Sequence, residues 1–290
     1  MEAGLRFKIN MKRIIPRLDI KGPNLVKGIH LEGLRVLGSP EIFAKYYYEN
    51  GADEIIFQDV VASLFERNSL HEIISRTAKD IFIPITVGGG IRTIQDIYDA
   101  LRAGADKVSI NTAAVRDPNF IQKAAKTFGS STIVVTIETI KGVDGNYYVF
   151  IDNGREETGI EVSYWVEKIT ELGAGELVIT AVDRDGTSLG YDLELLKKIK
   201  SLTSIPVISH GGASDFANLK DASKYIEAFA IASAFHYYSY RELIDQFTQE
   251  SEGNISFLKS RQNSKKIKSF SISELKNYLT KQKIKCRPNL

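Results

Sequence analysis

The stretch Glu49-Asn-Gly-Ala-Asp-Glu-Ile-Ile-Phe57 recurs later in the chain as Glu171-Leu-Gly-Ala-Gly-Glu-Leu-Val-Ile179. A second stretch, Pro84-Ile-Thr-Val-Gly-Gly-Gly90, recurs as Pro206-Val-Ile-Ser-His-Gly-Gly212. The offset is 122 residues in both cases, from 49 to 171 and from 84 to 206. Because a repeat of this length is too long for a solenoid unit, it indicates two fused halves of one closed structure.

Each half of the chain reads as strand, helix, strand, helix. Eight short apolar runs, rich in Val and Ile, are typical of strands buried on both faces of a parallel sheet. They are 13–18, 54–57, 83–87, 107–110, 132–137, 177–180, 207–209 and 228–232. Such strands alternating with amphipathic helical stretches predict a (β/α)8 TIM barrel built from two duplicated half-barrels. An open doubly wound sheet would explain the alternation but not the duplication.

The regions outside this pattern lie near the two ends of the chain. Residues 1–10 are predicted to form an N-terminal extension, and 11–290 a single barrel. A polar, basic insertion over 241–268 precedes a capping box, Ser271-Ile-Ser-Glu274, which marks a closing helix over 270–282. The insertion is either a partner surface or, more simply, a solvated segment.

The composition argues against several classes of protein. The formal net charge is +2, so the chain as a whole lacks the basic surplus of a nucleic-acid-binding protein. No apolar run approaches the roughly 18 residues that span a membrane, and Met1–Lys8 is too polar for a secretion signal. The single cysteine, Cys286, excludes an internal disulfide. We therefore predict a cytoplasmic protein with no nucleic-acid or membrane partner.

Glycine-rich turns follow the strands in both halves, at the end of a barrel where active sites lie. Glycine lets backbone N–H groups approach an anion, and a helix N-terminus adds its dipole. One Gly-Gly pair could be explained by steric need alone, but two at matching places predict two phosphate sites and a ligand with phosphate at both ends. The predicted sites contain Gly90, Asn111 and Thr112 in the first half, and Asp185, Gly186, Gly211, Gly212 and Ser233 in the second.

Charged residues mark both ends of the predicted strands. Asp19 and Glu138 end the equivalent first and fifth strands, and paired carboxylates can divide general acid and base catalysis. Alternatively, each carboxylate caps or ion-pairs a loop. At the opposite ends, charges of alternating sign would form a ring, either as a structural plug or as a functional opening. They are Arg13, Glu54, Lys107 and Glu176.

The chain resembles the cyclase subunit of imidazole glycerol phosphate synthase from about Met11 to Ala234. The resemblance rests on strings such as Leu18-Asp-Ile-Lys21, Thr86-Val-Gly-Gly-Gly-Ile91 and Asp183-Arg-Asp-Gly-Thr187. It implies that a partner glutaminase, a class I amidotransferase, releases ammonia that enters the barrel through its floor and travels to the substrate at the mouth.

The resemblance also implies roles for single residues. The charges at the strand beginnings match the family's ammonia gate one for one, and Asp106 matches a residue at the glutaminase contact. Asp19 matches the first catalytic aspartate, and Lys27 matches a lysine that contacts the substrate. These matches give the floor ring a functional meaning that its spacing alone does not provide.

Three positions depart from the family pattern: Glu138 replaces the second catalytic aspartate, Arg17 a cysteine, and His210 a small residue. The altered centre is similar to a paralogous branch associated with surface polysaccharides. In that branch the ammonia converts an acetamido sugar into an acetamidino sugar, with a third, amidating protein. We prefer this interpretation from sequence. The histidine-biosynthesis cyclase and a non-catalytic scaffold that activates the glutaminase are the alternatives. We predict a phosphate-containing small-molecule ligand, no cofactor and no metal.

Overall fold

The computed structural model describes residues 11–62, 70–243 and 268–288. In these ranges, twelve strands form one sheet. They are β1 (Arg13–Lys21), β2 (Asn24–Ile29), β3 (Glu32–Gly38), β4 (Ile55–Asp59), β5 (Ile85–Gly88), β6 (Lys107–Ile110), β7 (Ile133–Lys141), β8 (Tyr147–Ile151), β9 (Glu156–Glu161), β10 (Glu176–Ala181), β11 (Val207–His210) and β12 (Ala228–Ile231). The same ranges contain ten α-helices. They are α1 (Pro40–Glu49), α2 (His71–Thr77), α3 (Ile94–Ala103), α4 (Thr112–Arg116), α5 (Asn119–Phe128), α6 (Val162–Glu171), α7 (Leu193–Leu202), α8 (Phe216–Ala222), α9 (Ser233–Leu243) and α10 (Ile272–Lys281).

The parallel strands close into a barrel. Their order around the ring is β1, β4, β5, β6, β7, β10, β11 and β12, and β12 pairs in parallel with β1. We call the end at which these strands begin the floor and the end at which they finish the mouth. The described residues therefore confirm the predicted (β/α)8 barrel.

The strand pairing repeats the sequence duplication. The register between β4 and β5 recurs between β10 and β11 with every partner shifted by 122 residues, so that the pair Gln58–Gly88 becomes Thr180–His210. Residues with this offset consequently hold equivalent places in the two half-barrels.

Two antiparallel hairpins, which the sequence analysis did not predict, extend the mouth. β1 continues beyond Asp19 and pairs with β2, which pairs with β3. β7 continues beyond Glu138 and pairs with β8, which pairs with β9. The two carboxylates were expected at strand ends. They lie instead inside long strands, because each strand runs on into its hairpin.

The core has two layers. The larger packs the outer face of the barrel against the helices, where Phe43 and Trp165 are buried. We call the smaller layer the lumen layer. Along each strand its residues alternate with those of the larger layer, and they therefore face the inside of the barrel. The lumen layer consists of Ile15, Ile56, Val134, Val178, Ile208, Ala228 and Ala230.

The closing helix forms close to its predicted place. α10 begins after Ser271, whose side chain accepts a hydrogen bond from the backbone of Glu274 while the Glu274 carboxylate accepts one from the Ser271 N–H. Residues 1–10 and most of the predicted insertion lie outside the described residues, and 241–243 belong to the end of α9. Within the described ranges, no helix has the length and apolarity to cross a membrane. The cytoplasmic location stays a prediction.

Candidate functional site

The four charged residues at the strand beginnings meet in a closed ring at the floor. Arg13 donates to Glu54 at 2.6 Å and also to Glu176. Lys107 Nζ lies 3.1 Å from a carboxylate oxygen of each glutamate. Although burial opposes it, the attraction of the two carboxylates raises the pKa of Arg13 above its usual range. Each cation thus contacts both anions, and the ring closes the lower end of the lumen layer.

Asp106 lies beside this ring on the exposed floor surface. Its Oδ2 accepts a hydrogen bond of 2.8 Å from the backbone N–H of Ile85, so the side chain fixes the beginning of β5. This contact accounts for an acidic residue here on structural grounds. The predicted contact with a glutaminase stays a prediction.

A cavity of about 270 Å³, which we call the first cavity, opens at the mouth above β4 to β7. Gly90, Asn111 and Thr112, all predicted for the first phosphate site, line it, and Glu138 lines it from β7. Asn111 donates through Nδ2 to Phe150, but among the described residues its buried Oδ1 has no hydrogen-bond partner. A residue that lines the first cavity thus carries a buried acceptor without a partner, and Gly90 lines the same cavity.

The glycine turns are built in the same way in both halves. Gly89 has φ +91°, and a Cβ placed there would lie 2.2 Å from the carbonyl oxygen of Asp59. Its equivalent, Gly211, has φ +99°, and a Cβ would lie 2.4 Å from the carbonyl oxygen of Ala181. Both the conformation and the close approach require glycine.

Glu138 is a buried carboxyl group with little compensation. Burial raises its pKa to about 7, although the charge of Arg17 and a hydrogen bond from the Gly154 N–H, at 2.8 Å, favour the ionised form. A carboxyl group with this pKa exchanges a proton readily at neutral pH.

The residues predicted for the second phosphate site also lie together, but the space between them is nearly filled. Its residues surround a second cavity of about 10 Å³ above β10 to β12. The members predicted from the sequence are Asp185, Gly186, Gly211, Gly212 and Ser233. Among the described residues, the buried Oγ of Ser233 has no hydrogen-bond partner. His210, which lines the second cavity, is equivalent to Gly88 of the first half, and Arg17, which contacts His210, is equivalent to Thr136, which lines the first cavity. The larger side chains therefore lie on the side of the second cavity.

Asp19 and Lys27 lie in a buried ion-pair network next to the second cavity. The Lys27 ammonium group contacts Asp19 at 3.0 Å and Asp185 at 2.7 Å, and Asp19 also accepts from Arg17 Nε at 2.9 Å. Although burial opposes ionisation, the charges of Lys27 and Arg17 hold the pKa of Asp19 well below its usual range. Asp19 is therefore ionised under conditions in which Glu138 is partly protonated.

His210 is held neutral in this network. Arg17 Nη1 lies 3.1 Å from His210 Nδ1, and because a guanidinium group can only donate, Nδ1 is the acceptor. We therefore assign the ring proton to Nε2, which lies 3.6 Å from Asp185. Burial, together with the charges of Arg17 and Lys27, keeps the pKa of His210 well below its usual range.

Several residues at the mouth were missed from the sequence. Gln58, Thr136 and Asn153 line the first cavity, and Thr180 accepts a hydrogen bond from Arg17. Gln58 and Thr180 could have been found, because they are equivalent under the 122-residue offset and lie at the ends of predicted strands, Gln58 just after 54–57 and Thr180 as the last residue of 177–180. Asn153 lies beyond the unpredicted hairpin strand β8. Within residues 11–62, 70–243 and 268–288, no cluster of His, Cys, Asp or Glu could hold a metal ion.

Comparison with known proteins identifies the family. The model of a family described as "Histidine biosynthesis protein" matches residues 13–241. The imidazole glycerol phosphate synthase subunit HisF of Legionella pneumophila is 54% identical over 200 residues, which are 69% of this chain and 94% of that protein. The subunit of the same name from Alkaliphilus metalliredigens (strain QYMF) is 45% identical over 228 residues, covering 78% of this chain and 90% of the relative. That from Bacillus cereus (strain Q1) gives the same identity and coverage.

These names agree with the histidine-biosynthesis alternative rather than with the acetamidino-sugar branch that we preferred from sequence. That preference rested on three positions, Glu138, Arg17 and His210. The identity with the Legionella pneumophila subunit, in contrast, extends over more than two thirds of the chain. The preference is therefore not supported. The chain belongs to the histidine biosynthesis protein family, in which its relatives are the imidazole glycerol phosphate synthase subunits called HisF.

Proposed function

We propose that this chain is the cyclase subunit of an imidazole glycerol phosphate synthase. In this function it receives ammonia from a glutaminase at the floor and uses it at the mouth to cleave and cyclise a phosphoribosyl-carboxamide nucleotide. One observation carries the proposal: a single barrel joins a closed ring of charges at the floor to paired glycine turns at the mouth.

The mouth supports the binding of a ligand with phosphate at both ends. In each half, the strand after the one that carries the glycine turn leads directly into a helix at the mouth: β6 leads into α4, and β12 leads into α9. The unpartnered Asn111 and Ser233 oxygens lie at the beginnings of these helices. Helix N-termini and glycine turns suit phosphate, and the free oxygens suit hydroxyl or protonated groups beside it.

The two carboxylates suit the proton transfers of the proposed reaction. Forming a ring around a new nitrogen requires a base that takes protons from the attacking nitrogen and an acid that protonates the leaving group. Glu138, with a pKa of about 7, can supply and recover a proton, whereas Asp19 stays ionised and, as a weak base, is better suited to stabilising positive charge near the reacting nitrogen. The two carboxyl groups therefore suit different tasks in the reaction.

The interior suits neutral ammonia. Above the floor ring, the lumen layer consists of aliphatic side chains, which favour an uncharged molecule over ammonium because a bare charge is costly to bury. The glutaminase would dock on the floor, next to the ring and Asp106, and release ammonia below Lys107.

A second function is favoured by one specific observation. The second cavity holds only about 10 Å³, and Asp19 is already engaged by two cations. A barrel that only passes ammonia to a third, amidating protein, for instance for an acetamidino sugar, would need neither a second phosphate site nor a free Asp19. The scaffold alternative would need no phosphate site at all.

Complementation separates these functions. We expect the chain, expressed with its glutaminase, to restore growth without histidine to a strain lacking the cyclase. The purified barrel should also convert the phosphoribosyl-carboxamide nucleotide with ammonium as the nitrogen source. Soluble protein that neither restores growth nor consumes the nucleotide would overturn the proposal. Phosphate binding by that inactive protein would then favour ammonia transfer to another protein over a pure scaffold.

A further inference from the structure

The guanidinium group of Arg17 crosses the lumen directly above the lumen layer. Arg17 follows Ile15 by two residues on β1, so both side chains point inward. Its Nη1 donates to Thr180 at 3.1 Å and to His210 at 3.1 Å. Thr180 belongs to β10, which β11 and β12 separate from β1 around the ring. The side chain therefore spans the barrel instead of lying along its own strand, and it is 1% exposed.

Hydrogen bonds on several sides fix the position of the Arg17 guanidinium group. Nε donates to Asp19, and Asp19 is bound in turn by Lys27. Among the described residues, however, the buried Nη2 group has no hydrogen-bond partner. A buried donor without a partner is costly and suits a small acceptor that arrives there. The lone pair of ammonia can accept such a bond, whereas ammonium has no lone pair and carries the same sign of charge as Arg17.

We propose that Arg17 forms an upper barrier of the lumen, so that ammonia must pass two charged closures, the floor ring and Arg17, to reach the acceptor. The role of this barrier in ammonia transfer rests on the proposed function, whereas the existence of the barrier does not. Arg17 and His210 fill the side of the mouth next to the second cavity. The exit then leads past Thr136 and Glu138 into the first cavity, which is open.

Thiol labelling tests the barrier without any partner or substrate. In a Cys286→Ser background, the chain's native thiol is absent, so one introduced thiol reports alone. Val178→Cys places it in the lumen layer, and Ala124→Cys places it in the outer core as a control. Methyl methanethiosulfonate is the small, neutral probe, and mass spectrometry follows the labelling rate. Arg17→Thr, which copies the equivalent Thr136, removes the barrier, while Arg17→Met keeps the bulk of the side chain without its charge.

We expect Arg17→Thr to speed labelling at position 178 at least tenfold and to leave position 124 within twofold of its original rate. Arg17→Met should leave position 178 within threefold, because the side chain still fills the lumen. An unchanged rate at position 178 in Arg17→Thr would overturn the barrier. An equal acceleration at positions 178 and 124 would also overturn it, because the substitution would then have loosened the whole barrel.

A second measurement tests what the barrier does. In the complex with glutaminase, the ratio of glutamine consumed to product formed should lie near one. Arg17→Thr should raise it at least twofold, because ammonia escapes from the mouth before the acceptor binds. Faster labelling with an unchanged ratio would refute the control of ammonia by Arg17. If the unaltered complex forms no product from glutamine or from ammonium, the proposed function fails, and the labelling result still decides whether the barrier exists.

Discussion

The two cavities at the mouth occupy equivalent places in a duplicated barrel, yet the first holds about 270 Å³ and the second about 10 Å³. The backbone does not cause this difference. The turns at Gly89 and Gly211 have nearly the same φ, and each approaches the equivalent carbonyl oxygen. The duplication has preserved the features that depend on backbone geometry.

Two inward side chains make the difference. Arg17 and His210 lie on the side of the second cavity, where the first half has the smaller equivalents Thr136 and Gly88, and Arg17 binds both Asp19 and His210. The equivalent Glu138 receives less compensation, and its pKa rises while that of Asp19 falls. The comparison teaches that one scaffold gives two carboxyl groups of very different pKa through the side chains beside them, with the carboxyl groups themselves in equivalent places.

The largest expected effect is a difference in stability between a variant of Asp19 and a variant of Glu138. Asp19→Asn removes a buried negative charge between Arg17 and Lys27, and we expect a loss of ~3–5 kcal/mol because both cations stay buried. Glu138→Gln should not destabilise the protein at pH 7, since a neutral amide oxygen can still accept the bond from Gly154. Urea unfolding at pH 7 measures both. Equal losses of stability in the two variants would show that the two carboxyl groups have the same electrostatic surroundings, which would contradict this contrast.

The pH dependence of stability sharpens the same contrast. A folded-state pKa of about 7 for Glu138, against a usual value of 4.5, means that its contribution is fully present below pH 4.5 and is lost as pH rises towards 7. The stability of Glu138→Gln relative to the original protein should therefore rise by on the order of 3 kcal/mol between pH 4.5 and pH 7. Taking the difference between the two proteins cancels all other titrations. A difference that does not vary with pH would contradict the raised pKa.

Substitutions of the two equivalent glycines should lower stability by similar amounts but weaken phosphate binding at different cavities. Gly89→Ala and Gly211→Ala each place a Cβ against a carbonyl oxygen at positive φ, and we expect each to cost roughly 1–3 kcal/mol in the free energy of unfolding. Titration with inorganic phosphate, followed by NMR, should show that each variant loses binding only at its own cavity. If one substitution abolished binding at both cavities, the two phosphate sites would not be independent.

The smallest effect is the opening of the second cavity. His210→Gly makes this position like Gly88 and removes the imidazole ring from the second cavity. We expect inorganic phosphate to bind there about tenfold more tightly, or ~1.4 kcal/mol, by isothermal titration calorimetry. Ser233→Ala, tested in the same background, should reverse part of the gain if phosphate occupies this site. An affinity unchanged by His210→Gly would mean that the imidazole does not limit the site.

Much of this architecture could be predicted from the sequence. The strands are short runs of Val and Ile that are buried on both faces, and the 122-residue offset fixes which of them are equivalent. The glycine turns were found because positive φ and close approach to a carbonyl leave few other choices of residue. The four charges of the floor ring meet because strand beginnings converge at one end of a barrel.

The hairpins and the buried network were harder to predict. The dipeptide Asp144-Gly145, followed by the aromatic and β-branched run Tyr147–Ile151, is a hairpin signal that the sequence analysis did not use. The contacts of Lys27 with Asp19 and Asp185 carry no such local signal, because they join residues 8 and 158 positions apart. Cavity volume likewise depends on side chains that meet only in three dimensions.

The most direct test compares two nitrogen sources in a floor-ring variant. Lys107→Ala breaks two contacts of the ring, and Lys141→Ala, which removes an exposed ion pair with Glu194, serves as the control. In the complex with glutaminase, we predict that Lys107→Ala lowers product formation from glutamine at least tenfold and leaves turnover with added ammonium within twofold. Lys141→Ala should change neither rate. Equal losses with glutamine and with ammonium would contradict passage of ammonia through the floor and leave the ring as a structural plug.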